Sequence, residues 1–174
     1  MVLDNYWQIK FASSQYSMWQ PGGTGYFVDT SIKTLTGGDI PRVQCSFNGT
    51  MNNIYNALKM YALRSNLMAR LGTGSTEPTS SDYALENDIT SSIGSLSVTT
   101  GVGAENGLVT NLVISGINTT ESEIVITELG IYINSAFMTQ GTSYDVLLVR
   151  ELLEQTLAVP AGKGFTLVFK WVEA

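Results

Sequence analysis

The sequence predicts a mainly β protein: an antiparallel β-sandwich, jelly-roll or Ig-like, carrying one long α-helix. Three observations predict it. From Ile89 onward the segments SIGSLSVTTG, LVTNLVISGIN, SEIVITELGIYIN, YDVLLVRELL and GFTLVFKWVE are rich in β-branched and aromatic residues and are parted by turn-forming residues. From Met51 to Leu71 the spacing changes: Ile54, Leu58, Tyr61, Ala62, Ser65 and Met68 recur at three and four, the period of a helix face. Finally, 174 residues of which 44% are hydrophobic suffice for the core of one domain, or of one domain with a small appended piece.

Taken in order, residues 1–50 read as N-terminal strands or an attachment arm, and residues 51–174 as a helix plus a sandwich domain. In the first zone PGGTGYFVDT and TGGDIP contain turns, and YFVDTSIKTL and RVQCSF read as short strands between them. The helix is expected to start at Thr50 or Asn52, whose side-chain oxygens accept free backbone N–H groups. Gly72 is expected to end it, with Arg64 and Arg70 favoured near its C-terminus by the helix dipole. Leu63, Leu67 and Leu71 lie off the main stripe, so both faces of such a helix want cover, which favours a neighbouring chain.

In the β-rich zone, SEIVITELGIYIN alternates clearly, with Ile124, Ile126 and Glu128 on one face and Val125, Thr127 and Leu129 on the other. TLAVPAGKGFTLVFKWV reads as a strand, a Pro-Ala-Gly turn and a closing strand in which Val168, Lys170 and Val172 alternate with Phe169 and Trp171.

Composition excludes several functions. Charged residues are only 14%, less than a free monomer usually carries, so the surface is expected to be partly covered by neighbours. The net charge is −6 and the nine basic residues are scattered, which argues against nucleic-acid binding. Cys45, the one cysteine, allows neither an internal disulfide nor a cysteine zinc site and reads as a small buried hydrophobe. No apolar run approaches a membrane span, and the N-terminus does not read as a secretory signal, so folding in a cytosol is expected. The sequons at Asn48 and Asn118 then count as chance.

LGTGSTEPTSSDYALEN, Leu71–Asn87, invites a chemical reading. A phosphate-binding loop needs GxxxxGK[ST] opening a helix; here Gly72 and Gly74 follow the expected helix and no lysine is near. Asp82, Glu86 and Asp88 do not have the spacing of an EF-hand, leaving only an irregular cation site against the plainer reading, a turn capped by Asp82 with Tyr83 and Leu85 tucked into the core. With no histidine, Ser-His-Asp and Cys-His machinery are absent. Glu121, Glu123 and Glu128 are numerous enough for two-carboxylate chemistry, but nothing singles out a pair. Glu128, an acid inside an apolar strand, reads as a buried acceptor, with Arg150 as a candidate partner. Trp7, Trp19, Tyr26 and Phe27 suit an interface, or stacking on sugars in a carbohydrate-binding or receptor-binding module.

Three pieces together resemble a pattern of tailed-bacteriophage virion proteins: the glycine stretch with Gly72, Gly74, Pro78, Asp82 and Ala84-Leu85-Glu86; Glu128-Leu129-Gly130-Ile131-Tyr132; and Leu147-Leu148-Val149-Arg150-Glu151. The resemblance covers residues 55–174 and leaves residues 1–50 outside. It implies a structural component of a phage particle, on the head or on the tail, with no enzymatic activity and no cofactor. Its implied partners are copies of itself and other virion proteins, not nucleic acid or membrane, and its place is the virion, assembled in the host cytoplasm. In that reading Gly72 and Gly74 supply unusual backbone angles, Pro78 stiffens the connection, and Glu128 and Arg150 form a cross-strand pair.

Overall fold

A computed structural model of the chain describes residues 3–4, 26–45, 67–102, 109–139 and 142–172. These residues form eight strands: β1 (Tyr26–Lys33), β2 (Asp39–Cys45), β3 (Leu67–Gly72), β4 (Ile93–Val102), β5 (Val109–Asn118), β6 (Ile124–Thr139), β7 (Thr142–Val159) and β8 (Gly164–Val172). They make three antiparallel sheets, β1-β2, β3-β6-β7 and β4-β5-β8. The mainly β expectation therefore holds, and each of the segments read as strands overlaps one.

The long helix is not present among the described residues. Residues 51–66 lie outside them, but the last turn expected of that helix, Leu67–Leu71, is strand β3. LMARLG satisfies two periods at once: Leu67 and Leu71 are four apart, as on a helix, while Leu67, Ala69 and Leu71 alternate, as on a strand. The observed burial follows the alternation, with Leu67, Ala69 and Leu71 inside and Met68 and Arg70 half-buried. Gly72 accordingly closes a strand instead of capping a helix.

The chain divides into two compact units, each discontinuous in sequence. One comprises residues 1–67, 78–84 and 131–150. Its core holds Leu3, Ile32 and Ile40 with Ile131, Ile133 and Val146–Val149. Five consecutive buried residues, Val146 to Arg150, mean that β7 is covered on both faces there. The β1-β2 hairpin turns through Thr34–Gly38, where Gly37 N–H donates to the Thr34 carbonyl at 2.9 Å and Gly37 takes φ +80°, a conformation that glycine adopts without a Cβ clash.

The second unit comprises residues 68–77, 85–130 and 151–174, and its core holds Ala69, Leu71, Leu85, Ile93, Leu112, Ile114, Ile126, Leu129 and Val159. β5 is the central strand of its β4-β5-β8 sheet and pairs with β8 without a break from Val109↔Val172 to Ile117↔Gly164. Against β4 its register shifts once, between Gly94 and Ser97, around Ser95 at φ 52°.

The turns of this unit converge on Asn118, which has no exposed surface. Its Nδ2 donates to the carbonyls of Ser122 (2.8 Å) and Val159 (2.9 Å), and its Oδ1 accepts from the Thr120 N–H (2.9 Å) and hydroxyl (2.8 Å). Its backbone N–H donates to the Lys163 carbonyl and its carbonyl accepts from Gly162 N–H. One side chain thus ties the end of β5, the β5–β6 turn and the end of β7 together.

Candidate functional site

The Leu71–Asn87 stretch leaves β3 and folds back on it. Ile89 N–H donates to the Leu71 carbonyl (2.9 Å), Gly72 bridges Asp88, and Thr73 N–H donates to the Asn87 carbonyl (3.0 Å). The Asn87 amide donates to the Thr73 hydroxyl as well. Between these points Ser75 and Thr76 aim their N–H groups at one carboxylate oxygen of Glu86, at 2.8 and 2.9 Å, and the Thr76 hydroxyl donates to the other at 2.9 Å. These are the donors that a phosphate cradle would present. Here the chain's own Glu86 occupies them, so the loop holds an anion of its own.

Glu128 sits beneath this loop. It is fully buried, and its Oε1 accepts the Glu86 N–H at 3.2 Å. The neighbouring Thr127 hydroxyl donates to the Gly74 carbonyl at 2.7 Å. The two glycines are required by this closeness. A Cβ on Gly72 would run into Glu128 Oε2 and stand 2.9 Å from the Asn87 carbonyl oxygen; one on Gly74 would stand 2.6 Å from Glu128 Oε2 and 2.7 Å from Glu86 Cβ. Neither takes a positive φ, so the unusual backbone angles expected of them are not the reason for glycine. Positive-φ glycines occur at Gly37 and Gly162. Gly72→Ala meets a backbone oxygen and a fully buried carboxyl, and is expected to cost about 2 kcal/mol. Urea unfolding with a loss under about 0.5 kcal/mol would show that the loop relaxes freely.

Beside this loop Arg70 donates to Asp88 at 2.6 Å, and Asp88 accepts the Thr90 N–H at 2.8 Å. Burial alone would raise the Asp88 pKa, but Thr90 and the Arg70 guanidinium outweigh it and hold the carboxyl below its ordinary range.

Asp82 serves the other unit. It closes a turn with Thr79, accepting the Thr79 N–H (3.0 Å) and hydroxyl (2.6 Å) and returning its own N–H to the Thr79 carbonyl. Arg150, almost wholly buried, donates at 2.5 Å to Oδ2, the same oxygen that accepts the Thr79 N–H. Asp4 N–H donates to the Ser80 carbonyl (2.7 Å), which pins the same loop. Burial again works to raise the Asp82 pKa, and the Thr79 hydroxyl, the Arg150 guanidinium and the Thr79 N–H together bring it below the ordinary value.

The remaining expected residues fall as follows. Pro78 is half-buried at the head of the Thr79–Asp82 turn, and Leu85 is buried. Tyr83 is not a core plug: it is 42% exposed and lays its ring across Gly37, whose missing Cβ leaves it room. Gly130 is buried in β6 and Tyr132 half-buried. Tyr26 and Phe27 open β1 opposite Cys45 and Gln44, while Trp7 and Trp19 lie outside the described residues. Sequence reasoning missed Asn118. The signal was Asn-Thr-Thr at a strand end, the composition of a side chain that bonds the backbone two residues on.

Among the described residues no group of three or more Cys, Asp or Glu side chains is placed to hold a metal ion. Nor does any described helix have the length and apolarity to cross a membrane. Compared with known protein families, with characterised proteins and with solved structures, the chain matches none.

Proposed function

We propose that the chain is a non-enzymatic structural component of a bacteriophage particle that assembles on the capsid or tail through protein–protein interfaces. The observation that carries the reading is where the acids of the three-piece pattern go. Asp82 accepts from Thr79 and Arg150, Glu86 from the glycine loop, and Glu128 from the Glu86 N–H. Residues that a catalytic reading would set towards a substrate are spent on shaping loops. The low charge content supports the same reading, since it suits a surface covered by neighbours.

In the finer architecture the β4-β5-β8 sheet lies face to face with the strands of β3, β6 and β7 that belong to the same unit, as a sandwich. Support comes from burial: Leu112 and Ile114 on one sheet and Ile126 on the other are fully buried, while Ser97, Thr99 and Thr166 on the opposite face of β4 and β8 are exposed.

The test is immunogold electron microscopy and mass spectrometry of purified particles of the source phage, with antibody to the recombinant chain. Gold over the head or at the neck and tail is the expected result and assigns the location. Purified particles without gold and without peptides of the chain would overturn the reading.

A further inference from the structure

Each open sheet edge is a row of N–H and C=O groups able to pair with another strand, and proteins usually blunt such edges with charge, proline or bulges. Among the described strands the edges differ sharply in this respect. The β1-β2 hairpin carries a register shift between Asp29 and Ile32, Pro41, and the charges of Lys33, Asp39 and Arg42. β4 carries a bulge between Gly94 and Ser97 with Ser95 at φ 52°. β3 is only six residues long and bears Arg70, and β7 bears Arg150, Glu151 and Glu154. β8 is the least protected: nine residues, no proline, no bulge, a single charge near one end at Lys170, and Val168 67% exposed.

Its sequence is also close to a palindrome. Around Leu167 stand two β-branched residues, Thr166 and Val168, and then two phenylalanines, Phe165 and Phe169. Antiparallel self-pairing needs this symmetry, because residues equidistant from the dyad meet across it. Centred on Leu167, the pairing sets Phe165 against the partner's Phe169 and Thr166 against the partner's Val168. Lys170 falls opposite the partner's Gly164, so no two like charges meet.

We propose that β8 is a strand-pairing edge whose occupant is β8 of a second copy, joined antiparallel about Leu167 to make a continuous six-stranded sheet, β4-β5-β8 and its mirror in order. The joint is closed by its own two-fold axis, and the outer edges of the joined sheet are then the two bulged β4 strands, which stop further growth. The inference deepens the structural reading by naming the surface that joins copies, but the two fail separately: particles lacking the chain would leave the dimer intact.

The experiment is sedimentation equilibrium of the full chain across a concentration series, with the paired variants T166K/V168K, T166E/V168E and T166E/V168K. Both positions are exposed, and circular dichroism checks that each variant is folded. The wild type is expected to dimerise. T166K/V168K and T166E/V168E each oppose two like-charge pairs and are expected to weaken dimerisation by roughly thirtyfold or more. Mixing those two variants is expected to restore association, and T166E/V168K, whose own copies present Glu opposite Lys, is expected to dimerise unaided. A wild type monomeric at every concentration overturns the proposal. So does a dimer indifferent to the like-charge variants, or one whose loss neither mixing nor T166E/V168K repairs.

Discussion

Asn118→Ala is expected to lower the unfolding free energy by about 4 kcal/mol, counting roughly 1 kcal/mol for each of the four side-chain hydrogen bonds lost. The site is fully buried, so water does not replace the lost donor at the Ser122 and Val159 carbonyls. Asn118→Asp is expected to cost more at pH 7 although it changes fewer atoms, because an oxygen would then face two carbonyl oxygens where an N–H₂ now donates. Burial and those carbonyls raise the pKa of the new acid in the folded state. The folded protein then binds a proton more readily than the unfolded chain, so the variant regains stability as pH falls. Urea unfolding of both variants at pH 7 and pH 4 measures this. If the aspartate is no worse than the alanine at pH 7, the amide donors are not the groups that hold the turns.

Arg150→Ala is expected to cost about 3 kcal/mol, near the lower end for a broken buried pair, because Asp82 keeps some contact with water. The loss combines the packing of a long side chain with the desertion of a carboxylate that Thr79 still holds in place. Its pH dependence has a definite sign. Asp82 has a folded pKa below its unfolded one, so its contribution is complete above about pH 4 and disappears as pH falls through the folded value. The gap between wild type and variant should therefore be widest at neutral pH and narrow in acid. Parallel denaturation of the two proteins from pH 7 down to pH 2.5 reads it, and a gap that stays constant would mean that Arg150 does not act through the Asp82 charge.

What the sequence disclosed depended on how local the cause was. The strands after Ile89 were legible because alternation and turn residues are written within ten residues of each other, as in SEIVITELGIYIN. Leu67–Gly72 has a spacing that suits a helix and a strand equally, and the decision comes from distant partners: β6, beside it in the sheet, and Asp88 and Ile89, whose backbone groups pair with Gly72 and Leu71. The glycine stretch stands out in the sequence, but the reason for its glycines is not visible there. The atom that forbids a Cβ belongs to Glu128, more than fifty residues along the chain. Asp82 was legible as a turn cap because Thr79 is three residues away; its bond to Arg150 spans 68 residues and has no local trace. At Asn118 a motif for modification lies on top of a motif for folding and hides it.

That overlap has a practical consequence. A chain passing through a eukaryotic secretory pathway meets the glycosylating enzyme while still extended, when Asn118-Thr119-Thr120 is an open acceptor. Once a sugar is attached, the amide has lost a donor hydrogen, and a side chain with no exposed surface would have to carry a bulky hydrophilic tree. Glycan and native fold exclude each other at this residue. Secretory production of the unaltered chain would divide it into a native fraction and a fraction marked, by that sugar, as never having folded.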